Sequence, residues 1–596
     1  MIDASLPFVL LDDAGDAAIG SSRLFTGAVE IVETREPAEV RACLGRVREA
    51  AERGLHAAGF LSYEAGYSLE AKLEPLGRRP PREAPPLLWF GLFEGCDEIE
   101  PAQVPSLLPD PASAWTAAPR PLIAQEDHAE AVARVKAHIL AGDIYQANLT
   151  FPAEVRTAGS PLGVYAALRP RARAGHGGLV FTGAHWLLSF SPELFFTLER
   201  GRVTTRPMKG TAARHADAAD DAAEAAALRE DPKQRAENLM IVDLLRNDLS
   251  RVSRPGSVKV PSLFAVETYP TVHQMTSTVT SELESGVDPI RLVEAIFPCG
   301  SITGAPKIRA MELISEIEGH PRHAYTGAMG RVAPGGEASF NVAIRTIILK
   351  EGDDRGVMGL GSAIVADSHA GDEWRECLAK GAFAHDPARR FDLIETMRFD
   401  PREGVAELDL HMARMKASAE ALGFPFSRHE ARNELQAATF RLREPRKLRL
   451  LVSKSGAIAI ESRRLPPDPE APVGVAIVPR PVPRDDFRLS HKTSDRAFHD
   501  EARATAGTFE IVFEDEDGFL TEGSFTSLFV ERDGRLVTPP LARGLLPGIL
   551  RSRLIASGEA EEGDVRAVDL AGGFFIGNAV RGLLPAVVRR SSAATF

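Results

Sequence analysis

The sequence predicts a multidomain protein of the α/β class, α+β in its local mix, and three observations carry that expectation. The chain has 596 residues, too many for one hydrophobic core, so roughly three to four compact units are expected. Two proline-rich stretches, RRPPREAPP near Arg78 and the run from Pro101 to Pro121, can sustain neither helix nor central strand and read as connections. After Phe391, short strand-like and helix-like segments begin a second alternation.

Composition narrows the function classes. A net charge of −13, with basic residues scattered among acids, disfavours a nucleic-acid surface. No apolar run reaches the ~18 residues of a membrane span, and the N-terminus carries acids where a secretory signal would carry Lys or Arg. A cytoplasmic location is therefore expected. Cys43, Cys96, Cys299 and Cys377 include no CxxC pair, so neither a disulfide framework nor a zinc site is indicated, and reduced, mostly buried thiols are expected.

Taken in order, the elements suggest boundaries at 1–121 for an N-terminal lobe, 122–385 for a catalytic domain, 386–391 for a linker and 392–596 for a further domain. A β-like run, Arg202 to Arg206, leads into a Gly-flanked turn that holds Lys209. The Ala/Asp/Glu-rich run from Ala212 to Ala236 suits an exposed helix or disorder and receives no function. In the following helix Glu237 sits beside an apolar stripe of Met240, Ile241 and Leu244. Phe297 to Ile314 reads as a Gly-rich loop entering a helix, and Gly359 to Ser368 as a small-residue strand and turn. FDLIETMRF reads as a strand, HMARMKASAEALGF as a helix ending at Gly423, and LRLLVSKSGAIAIESRRL as a hairpin turning at Ser455-Gly456. There is no internal repeat.

Some of these residues suggest chemistry directly. Glu373 and Glu376 lie three apart, hence on one helix face, where two carboxylates repel unless a cation or proton intervenes. With Glu237 they supply hard oxygen ligands of the kind magnesium takes; the competing reading is surface glutamates with lysine partners. The two Gly-rich segments expose backbone N–H groups that can hold a carboxylate.

GDIYQANLTF, SPELFF, RPMKGT, AENLMIVDLLRNDLSRV, YPTVHQMTSTV, FPCGSITGAPKIRAMELI, YTGAMG, FNVAIRT and ADSHAGDEWRECLAKG occur in the order seen in the chorismate-utilising enzymes. From about Gly142 to Gly381 the chain resembles aminodeoxychorismate synthase component I and the anthranilate- and isochorismate-type synthases. The resemblance implies a two-lobed, anthranilate-synthase-component-I-like β-sheet core with flanking helices. It implies magnesium on Glu237, Glu373 and Glu376, and chorismate carboxylates held by Tyr325, Arg345, Thr303, Gly304 and Gly361. Glu193 and His273 would line the reacting ring. Anthranilate synthases carry alanine where Lys209 stands, so this lysine resembles the branch that aminates chorismate through a covalent step.

After Phe391 the chain resembles fold-type IV pyridoxal phosphate enzymes, a group that includes aminodeoxychorismate lyase and branched-chain and D-amino-acid aminotransferases. That implies an α+β domain. Lys492 would hold the cofactor covalently and shuttle protons, and Glu522 would keep the pyridine nitrogen protonated. Arg414, three residues after His411, would fork onto the cofactor phosphate, with the amides of Gly548 and Ile549 at a helix N-terminus beside it. Asn578 belongs to the same set, and Ser527 stands where relatives usually place asparagine.

Joined in one chain, the halves imply chorismate amination to 4-amino-4-deoxychorismate followed by elimination of pyruvate to para-aminobenzoate, a step of folate synthesis. None of the four cysteines sits in the Gly-x-Cys-x-Gly setting of a glutaminase nucleophile, so ammonia is expected from a separate glutamine amidotransferase subunit. A homodimer through the C-terminal domain is compatible with the second resemblance. Two alternatives remain open: an anthranilate-type synthase fused to an aminotransferase, or a non-catalytic C-terminal scaffold.

Overall fold

Residues 2–15, 21–215, 217–268 and 272–589 are described by the computed structural model. The chain divides into two units: Met1–Leu108, Ala118–Val155 and Leu168–His385 form the first, and Pro109–Ala117, Arg156–Ala167 and Asp386–Phe596 the second. Among the described residues no helix is long and apolar enough to cross a membrane.

Two large sheets build the first unit. One orders its strands Gly304–Ala305, Gln146–Ala158, Arg355–Ile364, Thr346–Lys350, His185–Ser189, Gly177–Phe181, Phe8–Asp12, Ser22–Phe25 and Asp97–Ile99. The other runs Met208–Ala213, Val272–Glu282, Arg202–Arg206, Leu194–Glu199, Ala338–Val342, Ala328–Val332, His56–Leu61, Leu88–Phe93 and Glu30–Thr34. The expected lobe 1–121 therefore closes no sheet of its own. Phe8–Asp12 pairs with Gly177–Phe181, and His56–Leu61 pairs with Ala328–Val332. The reason lies in burial: Phe8, Val9 and Leu10 are all fully buried, and a strand covered on both faces belongs inside a sheet. Proline-rich connections mark where the chain turns and say nothing about which strands pair.

Lys209 lies in the strand Met208–Ala213 rather than in a turn. That strand pairs Met208 with Thr276 and Thr211 with Gln274, so three steps on one side face two on the other. The extra residue is a bulge at Lys209-Gly210, where Gly210 takes φ +95°. In the helix Pro232–Ser250 the buried stripe is Asn238, Ile241, Val242, Leu245 and Leu249, shifted from the expected one, and Glu237 stands one turn before Ile241 at its edge. The Ala-rich run forms the helix Ala218–Glu230 and the start of Pro232–Ser250.

A buried ion pair ties several segments of this unit together. Arg322 and Glu318 have side chains only 1% and 2% exposed and meet at 2.6 Å. Arg322 also donates to Ile302 O at 2.9 Å and Asn148 O at 2.6 Å, while Glu318 accepts from Thr150 N at 2.7 Å. The N–H of Arg322 donates to Glu64 at 2.6 Å, and its guanidinium lies 4.5 Å from the Tyr63 ring centroid.

The second unit contains a four-stranded sheet, ordered Gly404–Val405, Leu393–Asp400, Arg446–Val452 and Ile458–Arg464. Its hairpin pairs Val452 with Ile458, and Gly456 takes φ +85° in the turn. The helix Leu408–Leu422 packs on this sheet and ends at Gly423 with φ 72°, a left-handed cap. A mixed seven-stranded sheet follows, ordered Glu510–Glu514, Val473–Pro479, Gly582–Val588, Phe574–Asn578, Ser527–Arg532, Arg535–Thr538 and Ala560–Glu562. The expected linker 386–391 is built into this unit: Phe391 is buried against Trp115 at 4.8 Å between ring centroids, and Arg389 donates to Ala112 O and Ala114 O at 2.6 Å. Trp115 in turn donates to Leu422 O at 3.0 Å.

Removing one partner of a buried pair strands the other charge, so Glu318→Gln is expected to destabilise the first unit by roughly 3–5 kcal/mol. Denaturant unfolding followed by tryptophan fluorescence measures it, and a change below about 1 kcal/mol would show that Arg322 finds another partner.

Candidate active sites

In the first unit the structure gathers Glu193, Lys209, Glu237 and Glu376 into one charged cluster, with Lys380 among them. Burial is the main influence on Lys209 and pushes its pKa down, helped by the charge of Lys380 and opposed by Glu193, Glu237 and Glu376. Burial pushes Glu193 up, against Ser301, Lys209 and Lys380. Glu193 is only 5% exposed, and its Oε1 has no hydrogen-bond partner. Burial thus moves the acid towards its protonated form and the lysine towards its neutral one. The bulged strand is held from behind by Asn238, whose side-chain amide donates to Lys209 O at 3.4 Å and whose oxygen accepts from Ser277 at 2.6 Å.

The residues expected to hold the carboxylates are buried or closely packed. Thr303 is fully buried, donating from Oγ1 to Gly300 O at 3.1 Å, and its own carbonyl accepts from Asn148 N at 2.8 Å. A Cβ on Gly304 would fall 2.4 Å from Gln146 O, and one on Gly361 2.7 Å from Thr150, so the loop and strand approach at glycine distance. Tyr325 is 7% exposed, its hydroxyl driven well above the ordinary range by burial, and its ring packs on Gly359. Burial also pushes Arg345 down, which suits a guanidinium that meets a carboxylate only when a ligand arrives.

The residues expected to hold magnesium are arranged more loosely. Among the described residues no three carboxyl, thiol or imidazole groups converge closely enough to hold a metal ion, so Glu237, Glu373 and Glu376 form no ready cage. Lys380 meets Glu376 at 2.7 Å and donates to Gly361 O at 3.1 Å. Burial raises Glu376, but Lys380, Lys209 and Lys233 more than offset it, leaving the carboxyl below its usual range. Burial raises Glu237, and Glu376 adds to that. Glu373 Oε2 is buried without a hydrogen-bond partner. Hard oxygens with one such orphan fit a cation that keeps water and substrate among its ligands.

His273 keeps other company. Its ring nitrogens meet Thr268 Oγ1 at 3.1 Å and Asp221 Oδ1 at 3.0 Å, and Asp221 pairs with Arg214 at 2.8 Å. The neighbouring motif residues Tyr269, Pro270 and Thr271 lie outside the described residues.

In the second unit Arg414, Lys492, Glu522, Gly548, Ile549 and Asn578 all line one cavity of about 470 Å³. Burial is the largest influence on Lys492 and, with Arg414, brings it down to about 7; burial alone dominates Glu522 and pushes it up to about 8. The Arg414 fork already grips an acid: Nε and Nη2 donate to Glu395 at 2.8 and 2.6 Å, and Nη1 to Pro547 O at 2.9 Å. Three of its five N–H groups are thus committed, and two remain for an anion. His411 meets the same Glu395 at 2.6 Å through Nδ1, and its buried Nε2 has no partner. Burial raises Glu395, but Arg414 and His411 together draw it down to about 2.

Pyridoxal phosphate fits these residues. Gly548 caps the helix Ile549–Ala556, and a Cβ there would fall 2.5 Å from Ser527 Oγ, so this cradle admits backbone amides and excludes a side chain. Glu510 braces the floor, accepting from Ser524 N, Ser524 Oγ, Phe525 N and Thr526 Oγ1 at 2.6–3.0 Å. Asn578 shapes the opposite turn, its Oδ1 accepting from Val580 N at 2.9 Å and Arg581 N at 3.1 Å.

Sequence reasoning passed over Lys380, Glu395 and Glu510. Lys380 and Glu395 lie in segments whose pattern signals only a helix and a strand. Glu510 carries no local signal, because its five donors come from its neighbour and from a loop 14–16 residues onward.

Residues 8–386 match the family model for chorismate binding enzymes, and the chain belongs to that family. Residues 392–588 match the model for class IV amino-transferases, so one polypeptide carries both. Over 268 residues it is 41% identical to aminodeoxychorismate synthase component 1 of Klebsiella aerogenes, covering 45% of this chain and 58% of that one. Over 294 residues it is 38% identical to anthranilate synthase alpha subunit 1 of Oryza sativa subsp. indica, covering 47% and 50%. The chain thus spans between half and three-fifths of the length of these relatives. Anthranilate synthase component I from Streptococcus pneumoniae superposes with a TM-score of 0.52 at 27% identity, covering 61% of this chain and 92% of that one.

Two outcomes are expected of the second cavity. A lysine with a pKa brought down to about 7 is a neutral nucleophile half-way up at that pH. Borohydride trapping of pyridoxal phosphate on the peptide containing Lys492 should therefore rise through pH 7, and labelling that rises only near the ordinary lysine value would contradict the burial argument. Glu522 has a folded pKa raised from 4.5 to about 8, so its contribution to stability is complete below 4.5 and lost as pH rises through 8. Relative to Glu522→Gln, the cofactor-free protein should lose stability across that window, as read by thermal unfolding at stepped pH.

Proposed function

We propose that the chain makes para-aminobenzoate from chorismate in two steps, aminating chorismate in its first unit and eliminating pyruvate in its second. The observation that carries the reading is Lys209, a lysine whose burial disfavours its charge, grouped with Glu193, an acid whose burial favours its proton.

In the first step Glu237, Glu373 and Glu376 would hold magnesium, which when bound neutralises substrate carboxylate charge. Arg345, Tyr325 and the amides about Thr303, Gly304 and Gly361 would orient the carboxylates. The neutral Lys209 amine forms a C–N bond to the conjugated ring, while the 4-hydroxyl takes the Glu193 proton and leaves as water. Ammonia then bonds to C4 as the bond to Lys209 breaks. The net change is chorismate plus ammonia to 4-amino-4-deoxychorismate plus water, with ammonia supplied by a separate glutaminase subunit.

In the second step Arg414, with the amides of Gly548 and Ile549, would hold the phosphate of pyridoxal phosphate, Asn578 would shape the wall, and Glu522 would face the pyridine nitrogen. The cofactor, when bound, withdraws electrons from the carbon that bears the substrate amine. Lys492 removes the proton from that carbon; the enolpyruvyl C–O bond breaks, the ring becomes aromatic, and the departing enolate takes up a proton to become pyruvate. Glu395 supports this by fixing Arg414 and His411 in place.

The similarity to a rice anthranilate synthase favours a second reading in which the first product is anthranilate. Lys209 stands against it, since anthranilate synthases resemble this segment but carry alanine there.

Incubation with chorismate, magnesium, an ammonium salt and pyridoxal phosphate should release para-aminobenzoate and pyruvate in equal amounts, whereas anthranilate would establish the second reading. Lys492→Ala should stop at 4-amino-4-deoxychorismate. Glu193→Gln should slow the first step roughly 10²–10⁴-fold, and full activity of Lys209→Ala would remove the covalent step.

A further inference from the structure

More positive charge lines the second cavity than the cofactor requires. Arg414 is committed to Glu395, Arg488 to Asp486 at 2.6 Å, Arg503 to Asp500 at 3.5 Å, and Arg496 to Ser524 O and Asp500. Lys492 is set aside for covalent chemistry. Lys447, Arg449 and Arg581 remain, all lining the cavity. Among the described residues none of these three has a carboxylate partner.

Their placement follows from the strands. Lys447 and Arg449 alternate with the buried Leu448 and Leu450 in Arg446–Val452, so both point to one face of the sheet. Across the sheet Lys447 stands between Arg398 and Arg463, a row of three like charges, which costs stability unless an anion is present. Glu461 stands opposite Arg449 but pairs with Arg463 at 3.2 Å. Arg581 approaches from the turn organised by Asn578, its Nη1 spending one N–H on Pro467 O at 3.0 Å. Burial pushes Lys447 down, and Arg449, Arg463 and Arg581 add to that, with no acid in opposition.

We propose that Lys447, Arg449 and Arg581 form an anion subsite, separate from the phosphate cradle, that selects an amine substrate carrying two carboxylates over one carrying a single carboxylate. The inference rests on reading this cavity as the cofactor and substrate site. Three cations without a counter-carboxylate balance two or more negative charges, which a monocarboxylate amine does not supply.

The test titrates the full chain with isophthalate, a dicarboxylate, and with benzoate, its monocarboxylate counterpart, by calorimetry at fixed low salt, with and without pyridoxal phosphate. Isophthalate should bind at least roughly tenfold more tightly. The preference should vanish in the Lys447→Met/Arg581→Met double variant and return in Lys447→Arg/Arg581→Lys, which shows that a loss comes from missing charge rather than misfolding. Equal binding of the two anions by the wild-type protein, or a preference that survives the double variant, overturns the subsite. Cofactor capture, followed separately by visible absorbance, reports on the cradle: no capture together with an intact dicarboxylate preference would overturn the cofactor reading and leave the anion subsite standing.

Discussion

The Arg322 guanidinium is removed from water, a transfer that only Glu318 and a ring of carbonyls make tolerable, and the chorismate-type site depends on that compensation. Its contacts reach Ile302 in the loop expected to hold a carboxylate, Asn148 in the strand beside it and Glu64 in the N-terminal third of the chain. Glu64 shares the consequence: burial brings its carboxyl up to about 7, although the Arg322 N–H and charge oppose this. A loop whose amides are to hold a substrate carboxylate has to be rigid before the substrate arrives, because every amide ordered during binding subtracts from affinity. The pair supplies that rigidity without occupying the loop's own donors.

Both candidate sites use burial to the same end. Each sets a lysine whose charge is disfavoured near an acid whose proton is favoured: Lys209 with Glu193, and Lys492 with Glu522. Water would leave such pairs ionised; a low dielectric shifts both members towards their neutral forms. The sites differ in how the remaining charge is managed. Around Lys209 the carboxyl groups of Glu193, Glu237 and Glu376 stand with the amines of Lys209 and Lys380, whereas the second cavity retains Lys447, Arg449 and Arg581, positive charge that calls for an anionic ligand.

Much of this was legible in the sequence, and the limits were physical. Element types followed periodicity, as in the helix Leu408–Leu422 with its left-handed Gly423 and the hairpin at Gly456. Ordered motifs marked six residues that the structure brings to one cavity. Distant pairing was hidden, because one of the two partners of a strand such as Phe8–Asp12 lies some 170 residues away, and no local pattern encodes it. Lys209 read as a turn residue because a bulge and a turn share the same signal, a glycine that takes positive φ. Glu395 and Glu510 stayed hidden for a related reason: a buried acid is recognisable by its donors, and most of those come from elsewhere in the chain.

The interleaving of the first unit has a consequence in time. During synthesis Phe8–Asp12 leaves the ribosome long before Gly177–Phe181, and His56–Leu61 long before Ala328–Val332. At typical elongation rates the gap is on the order of tens of seconds, during which one edge of each strand lacks its native neighbour, the other being open to Ser22–Phe25 and Leu88–Phe93. The nascent chain therefore carries half-paired β-structure until those later strands are made, and its passage to the folded state depends on whatever shields the open edges in the interval.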